Sequence, residues 1–164
     1  MRIALIVPGG VDRSGRERVI PALLALIERL ARRHSVFVVA LEQEPAPSTY
    51  ALLGAQVVNL GRGQSHLPGF GFWKRLRQTL TALDAQGGAD VLHAFWLGAA
   101  STLALGVGRW RRLPVVASIG GGELVWLPEI GYGGAASWRH RQQVRLALHG
   151  AQVITGGSRY ALAP

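Results

Sequence analysis

Short apolar runs that stop at glycine or proline alternate along this chain with segments of helical periodicity. The runs are five or six residues long, the length of a strand that is buried on both faces of a sheet. The predicted strands cover residues 3–7, 36–41, 56–60, 90–95, 114–119 and 151–155. Helices are predicted at residues 15–33, 72–85, 98–107 and 136–149. This alternation predicts a three-layer α/β fold with a doubly wound, mostly parallel sheet between two layers of helices.

The composition narrows the class of protein without choosing a function. A length of 164 residues fits one domain, which we expect to span residues 1–164. The absence of cysteine excludes disulfides, thiolate zinc sites and cysteine nucleophiles. The formal charge is +9, and Lys74 is the only lysine, so the basic excess comes from arginine. No apolar run approaches a membrane span, and the run at residues 3–7 is too short for a signal peptide, which favours a cytoplasmic location.

Open parallel sheets bind ligands at the carboxyl ends of their strands, so the loop after the first strand is the first candidate site. It contains Gly9, Gly10 and Gly15, which would let backbone N–H groups approach a phosphate or a sugar. Ser14, with Glu17 three residues later, has the spacing of a helix-capping box. The glycine spacing does not match the dinucleotide fingerprint G-x-G-x-x-G. The alternative is that these glycines only form a turn.

Two further candidate sites follow later strands. His93 lies near the end of the strand at 90–95, where a histidine could act as an acid, a base or a hydrogen-bond donor to a ligand. Gly121, Gly122 and Glu123 follow the strand at 114–119, and the carboxylate could accept hydrogen bonds from sugar hydroxyls. The alternatives are a core histidine bonded to backbone and a flexible loop with a solvated acid. No two histidines at metal-ligand spacing share a face with a carboxylate, so we predict no metal site.

Aromatic and cationic side chains lie together at the start of the helix at 72–85. Aromatic groups beside cations suit an anionic membrane surface. The predicted membrane patch comprises Phe72, Trp73, Lys74, Arg75 and Arg77. The alternative is that the apolar stripe of this helix, which includes Leu76 and Leu80, faces the core. No nucleic-acid recognition module accompanies the patch, so we expect no nucleic-acid partner.

Five sequence segments, in order along nearly the whole chain, resemble one known family. They are S-G-R-E-R-V at 14–19, R-H-S-V at 33–36, D-V-L-H-A-F at 90–95, L-P-V-V at 113–116 with G-G-E at 121–123, and A-Q-V-I-T-G-G-S at 151–158. Together they resemble the N-terminal, acceptor-side domain of family 4 glycosyltransferases with the GT-B fold. The sequence departs from the family pattern at three positions. Ser14 replaces a glycine, and Phe95 and Gly120 each replace a histidine.

The resemblance implies a Rossmann-like half of a retaining GT-B enzyme that moves a sugar from a nucleoside-diphosphate sugar to an acceptor hydroxyl. The acceptor would be polar or lipid-linked. It would contact His93, as the catalytic residue, and Glu123, while Gly9, Gly10 and Gly15 would lie near the donor diphosphate. No cofactor is implied, because the nucleotide sugar is a co-substrate held mainly by a second, C-terminal domain in cis or in trans. We therefore expect a chain truncated at its C-terminal end and inactive alone.

Two other functions stay open. The chain would be a non-catalytic, Rossmann-like binding module if it pairs with a separately encoded catalytic half. A nicotinamide-dependent oxidoreductase is a further alternative, although the broken glycine fingerprint counts against it. Peripheral attachment to the inner face of the plasma membrane is a separate hypothesis, which depends on the patch at residues 72–77.

Overall fold

The computed structural model describes residues 1–61, 70–85 and 87–158. By the density of its contacts the chain divides into two compact units, Met1–Leu92 and His93–Pro164. The glycine-rich sequence at 61–71 predicts a mobile stretch, and residues 156–158 predict the start of a further helix. Both predictions fall largely outside the described residues. Within the described residues, no helix combines the length and the hydropathy that a membrane span requires.

The first unit carries a parallel sheet with one antiparallel edge. Its elements are β1 (Arg2–Val7), α1 (Pro21–Ala31), β2 (Ser35–Ala40), β3 (Ser48–Leu52), β4 (Ala55–Asn59) and α2 (Phe70–Asp84). The strand order is β3-β4-β2-β1. Strand β1 pairs in parallel with β2 from Arg2↔Ser35 to Val7↔Ala40, and β2 pairs in parallel with β4.

Burial on both sheet faces explains the continuous apolar runs of this unit. Leu5 and Ile6 are adjacent in β1 and therefore point to opposite faces, yet both have no exposed surface. The helices supply Leu23 and Ile27 from α1 and Leu76 from α2, which are also fully buried. Helical spacing places Leu23 and Ile27 on one face of α1, the face that the helix periodicity predicts.

The second unit contains three strands, of which the last two pair in parallel, and two helices. Its elements are residues 93–95 of β5 (Val91–Phe95), α3 (Ala99–Arg111), β6 (Val115–Ile119), α4 (Trp138–Gly150) and β7 (Val153–Gly156). Three short 3₁₀ turns, Gly122–Leu124, Pro128–Ile130 and Gly134–Ala136, occupy the connection between β6 and α4. The strand order is β5-β6-β7, and a core of Leu97, Ala117, Ile119, Val144 and Ala147 packs α4 against the strands. The predicted fold class, a mostly parallel α/β fold, is confirmed.

The prediction that the first helix begins near residue 15 with Ser14 as its N-cap is wrong. Helix α1 begins at Pro21, because residues 11–19 form a loop that is closed at its base by an antiparallel bridge between Val11 and Val19. The hydroxyl of Ser14 does accept the backbone N–H groups of Arg16 and Glu17, at 3.2 and 3.1 Å. Ser14 therefore stabilises a turn inside the loop rather than the start of a helix.

Strand β3 was not expected from the sequence, which predicts a loop at residues 42–48 and no element directly after it. Residues 48–52 pair with β4 in an antiparallel ribbon, from Ser48↔Asn59 to Leu52↔Ala55. The two-residue turn uses Leu53 and Gly54, both with positive φ (50° and 80°), as a twisted hairpin turn requires. The partly exposed ribbon edge lacks the continuous apolar run by which the buried strands are identified.

We predict that Asn59→Ala lowers the free energy of unfolding by about 3 kcal/mol, since buried backbone groups lose their partners. The Asn59 side chain is 1% exposed and holds the chain between β2 and β3. Its oxygen accepts Gln43 N–H at 3.0 Å, and its nitrogen donates to the Ala46 carbonyl at 2.7 Å. Gln56→Ala is the matched control, because Gln56 is exposed on the same strand. Equal urea midpoints for the two variants would contradict this role.

Candidate functional site

In the first unit, polar side chains gather at the carboxyl ends of β1, β2 and β4. The buried side chain of Gln43, just after β2, accepts the N–H of Val11 at 2.9 Å. Tyr50 donates its hydroxyl to the Val11 carbonyl at 2.6 Å. Asn59, at the end of β4, accepts the N–H of Gln43. The loop after β1 is thus fixed on both sides of Val11 by side chains from neighbouring strands.

The tip of this loop is organised around Asp12. Its carboxylate accepts the N–H of Ser14 at 3.0 Å and a hydrogen bond from the guanidinium of Arg18. The Asp12 carbonyl accepts the N–H of Gly15 at 2.9 Å. These hydrogen bonds, those from Ser14 first and that from Arg18 after them, hold the pKa of Asp12 below its usual value. Asp12 is therefore ionised at neutral pH, and its carboxylate accepts hydrogen bonds from groups within the loop.

An ion pair with an aromatic neighbour lies beside the loop. Arg13 donates to the Glu44 carboxylate at 3.0 and 3.2 Å, and its guanidinium lies 5.2 Å from the centre of the Tyr50 ring. Hydrogen bonds from Ser48, and then from Arg13, lower the pKa of Glu44. Burial, with the nearby carboxylates, raises the pKa of Tyr50 to about 12, so Tyr50 remains a hydroxyl donor.

The glycines predicted to contact a phosphate have clear structural roles in this loop. Gly10 has φ +80°, and a Cβ there would lie 2.1 Å from the Ile20 side chain, so a larger residue is excluded. The Gly15 N–H is already donated to Asp12, and binding of an anion by this N–H would require the turn to open. Gly9 lies over the side chain of Gln43. Contact of Gly9, Gly10, Ser14 or Gly15 with a donor diphosphate stays a prediction.

In the second unit, a chain of side-chain hydrogen bonds crosses the three strands. His93 Nε2 on β5 lies 2.7 Å from Ser118 Oγ on β6, and Ser118 Oγ lies 2.6 Å from Thr155 Oγ1 on β7. Ser118 is buried, and Thr155 is exposed at the outer strand. The protonation of Nε2 sets the direction of the chain: a bare nitrogen accepts from Ser118, while a protonated one donates to it.

The electrostatic state of His93 limits its chemistry. Burial lowers the pKa of His93 to about 4, so the imidazole is neutral at neutral pH. A neutral imidazole can orient a hydroxyl or accept its proton, but it is a poor proton donor because almost none of it is charged. Among the roles that the sequence leaves open, the structure favours hydrogen bonding through Ser118 and Thr155.

Glu123 organises the glycine loop that follows β6. Its buried carboxylate accepts the N–H groups of Gly120 at 2.8 Å and Gly121 at 2.6 Å. The same carboxylate accepts the N–H of Leu97, after β5, at 3.3 Å. The side chain predicted to bind sugar hydroxyls is therefore engaged with backbone. A contact with sugar stays a prediction, while the observed role of Glu123 is to hold the ends of two strands together.

Each glycine of the triplet at residues 120–122 has a structural reason, which is a close neighbour at Gly120 and Gly122 and a positive φ at Gly121. A Cβ at Gly120 would lie 1.5 Å from the indole nitrogen of Trp96, and one at Gly122 would lie 2.8 Å from the hydroxyl of Tyr132. Gly121 has φ +126°, a conformation that L side chains rarely adopt. The loop is thus a close-packed connection, in contrast to the flexible alternative raised by its composition.

Sequence reasoning missed the partners of both candidate sites. Ser118 interrupts a predicted apolar strand, Asn59 is the last but one residue of another, and Thr155 ends a third. A single polar residue near the carboxyl end of a buried strand is the signal that could have identified them, because such a residue must find a hydrogen-bond partner. Asp12 gave no such signal, since its neighbours in the loop are polar.

The helix predicted to carry a membrane patch, α2, places part of its apolar stripe in the core. Leu76 and Leu80 are buried, while Trp73 is half-buried and Lys74 and Arg77 are exposed. Arg75 donates to the Gly61 carbonyl at 3.3 Å. The Phe72 side chain lies outside the described part of the molecule. Membrane binding by this patch stays a prediction.

Comparison with known families identifies one that matches most of the chain. The sequence model of the Glycosyl transferase 4-like domain matches residues 19–163. The chain therefore belongs to this family. No curated protein sequence is significantly similar to it.

Solved structures share the fold at low sequence identity. The UDP-GlcNAc 2-epimerase of Methanocaldococcus jannaschii superposes with a TM-score of 0.55 and 12% identity, over 98% of this chain and 40% of the epimerase. The putative UDP-N-acetylglucosamine 2-epimerase of Listeria monocytogenes gives 0.54 and 11%, over 97% and 39%. MurG of Acinetobacter baumannii gives 0.50 and 12%, over 94% and 40%. The chain spans about two fifths of the length of these structures, and the similarity supports the fold alone.

We predict that stability falls as the pH is lowered from about 7.5 to 5, and that His93→Gln removes about 2 kcal/mol of this change. The reason is that the unfolded imidazole, with a pKa near its usual 6.5, takes up a proton in this range, while folded His93 does not. His149→Gln is the control, because His149 is exposed at the end of α4. The measurement is urea unfolding at each pH. Identical pH slopes for the two variants would contradict the burial of a neutral His93.

We also predict that Glu123→Gln lowers the free energy of unfolding by about 2 kcal/mol, because the amide turns an N–H₂ group toward backbone N–H donors. Glu129→Gln provides a matched control, since Glu129 is an exposed glutamate in the same connection. Thermal or urea unfolding of both variants measures the difference. If Glu123→Gln is as stable as Glu129→Gln, the carboxylate does not hold the two strand ends.

Proposed function

We propose that this chain is the acceptor-side domain of a retaining glycosyltransferase. The reaction would transfer a sugar from a nucleoside-diphosphate sugar to an acceptor hydroxyl. The match of the Glycosyl transferase 4-like domain over residues 19–163 is the observation that carries the proposal. It supports sugar transfer over the nicotinamide-dependent oxidation that the glycine loops alone left open.

In the proposed reaction the second unit binds the acceptor. His93 is neutral and tied through Ser118 to Thr155, so it can orient an acceptor hydroxyl without adding a charge to the site. Glu123 would act as a positioning residue, because its carboxylate fixes Gly120 and Gly121 at the carboxyl end of β6. These roles use groups that the fold already holds in place, which reduces the ordering that the acceptor must impose.

The donor would be bound mainly by a second domain, supplied in cis or in trans. The departing diphosphate carries the charge that develops in the transition state, and its stabilisation needs cations or N–H groups directed at it. In the loop after β1 the N–H groups of Ser14 and Gly15 are already donated to Asp12. The main stabilisation of the leaving group therefore falls to the second domain in this proposal.

The test is a transfer assay with and without a donor-binding half. We expect no release of nucleoside diphosphate when the 164-residue chain alone is incubated with nucleotide sugars and acceptors. Co-expression with the polypeptide encoded immediately downstream should restore turnover if that polypeptide supplies the proposed donor-binding domain. Turnover by the purified chain alone would contradict the proposal that a second domain binds the donor. Failure of every donor with both halves present would contradict the proposed glycosyltransferase function.

Within an active pair, His93→Ala should lower kcat by about tenfold or more if the imidazole orients the acceptor. His149→Ala is the control on the exposed surface of α4. An unchanged kcat for His93→Ala, in a variant that remains folded by circular dichroism, would remove His93 from the site.

A further inference from the structure

The connection between β6 and α4 exposes an unusual amount of apolar surface. We call residues 124–138 the apolar segment. Large apolar side chains in it that are at least 40% exposed are Leu124, Trp126, Leu127, Ile130, Tyr132 and Trp138. Singly scattered exposed apolar residues are normal on a protein surface, whereas six of them within one connection of fifteen residues indicate a candidate binding surface. The sequence patterns did not point to this segment as a membrane or partner site.

The apolar segment is an ordered projection. Leu127 and Tyr132 form an antiparallel bridge, with reciprocal backbone hydrogen bonds of 2.7 and 3.1 Å. The bridge closes a tight loop through Pro128 and Gly131, and Ile130 within it is 73% exposed. An apolar residue is therefore held at the end of a short loop, and Trp126 and Tyr132 lie at its base.

The base of the segment is fastened to α4. Arg141 donates to the carbonyls of Ala135 at 2.6 Å and Ala136 at 3.2 Å. The Ala135 N–H is donated to the Val125 carbonyl at 3.2 Å. Because the backbone of the segment is held in this way, it does not need to be ordered when a partner binds.

The charges around the apolar segment are predominantly positive. Residues 120–150, which include the apolar segment and α4, contain three arginines and two glutamates, and one glutamate, Glu123, is buried in backbone hydrogen bonds. Arg139, Arg141 and Arg145 follow Trp138 on α4 and are exposed. Helical spacing places Arg141 and Arg145 on the side of the helix that carries Trp138. Glu129 is the one exposed carboxylate of the segment.

We propose that the apolar segment docks on an anionic phospholipid bilayer, with Ile130 and Trp126 entering the interface and the arginines of α4 facing the head groups. Tryptophan and tyrosine favour the boundary between water and lipid because each has an apolar ring and a polar group. The excess of arginine complements anionic lipid. This site differs from the patch on α2 predicted from the sequence, in which Leu76 and Leu80 face the core.

The proposal is tested by flotation of the purified chain with phosphatidylcholine vesicles that contain about one third phosphatidylglycerol. We expect binding at low salt, little binding to phosphatidylcholine alone, and release at high salt. Trp126→Ser should weaken binding by about tenfold, because it removes one of the largest apolar contacts. Trp110→Ser is a matched control, since Trp110 is 46% exposed beside Arg111, compared with 44% for Trp126. This control should bind as the unaltered chain does.

Removal of a negative charge from the apolar segment should strengthen vesicle binding, the opposite of the effect of Trp126→Ser. Glu129→Gln removes the exposed carboxylate of the apolar segment, and binding to the anionic vesicles should strengthen by about fivefold. Binding to phosphatidylcholine alone should not change. The double variant Lys74→Gln with Arg77→Gln tests α2 and should reduce binding far less than Trp126→Ser.

Three results would overturn the proposal. The first is that the unaltered chain fails to float with either kind of vesicle. The second is that Trp126→Ser binds as tightly as Trp110→Ser, and the third is that the α2 double variant alone abolishes binding. Self-association that Trp126→Ser abolishes, without vesicle binding, would assign the segment to a second copy of the chain and would also overturn it. The assay needs no donor or acceptor, so its failure is distinguishable from failure of the proposed sugar transfer.

Discussion

Backbone N–H groups at the buried ends of parallel strands need partners, and this requirement shapes both units of the protein. A loop that leaves the sheet loses the ladder of hydrogen bonds while it is still shielded from water. In the first unit, Gln43 and Asn59 supply the missing partners. In the second, the carboxylate of Glu123 does so for Leu97, Gly120 and Gly121. Each loop is therefore held by a side chain from within its own unit.

This arrangement leaves few polar groups in the strand-end loops uncommitted, and it favours positioning over direct chemistry. Glu123 and Asp12 are the most buried acids of the described loops, and both are occupied by backbone N–H groups. His93 is neutral and linked to two hydroxyl groups rather than to a carboxylate, so nothing raises its basicity. A site of this kind can align an acceptor, while the stabilisation of a leaving diphosphate needs charges from elsewhere.

The fold could be predicted because β1, β2 and β6 are largely buried on both faces, and such strands are continuous apolar runs. Strand β3 lacked that signal, since only one of its faces packs on the unit. The start of α1 was misplaced because Ser14 has the capping spacing, yet its hydroxyl serves a turn that the Val11–Val19 bridge closes. His93 and Glu123 were found from their positions after strands. Their partners were not, since contacts between distant residues leave only a lone polar residue in the sequence.

The apolar segment and the strand-end loop of the second unit are parts of one structure. Gly122 lies so close to the Tyr132 hydroxyl that a Cβ would meet it at 2.8 Å, and Glu123 is followed at once by the exposed Leu124. A partner surface bound to residues 124–138 would therefore lie next to the loop that Glu123 fixes, because the two segments adjoin in the sequence. If that surface is a bilayer, an acceptor anchored in lipid would reach the carboxyl end of β6 without leaving the membrane. A freely diffusing acceptor would gain nothing from this arrangement, so vesicle binding also bears on which of the two kinds of acceptor, polar or lipid-linked, the domain takes.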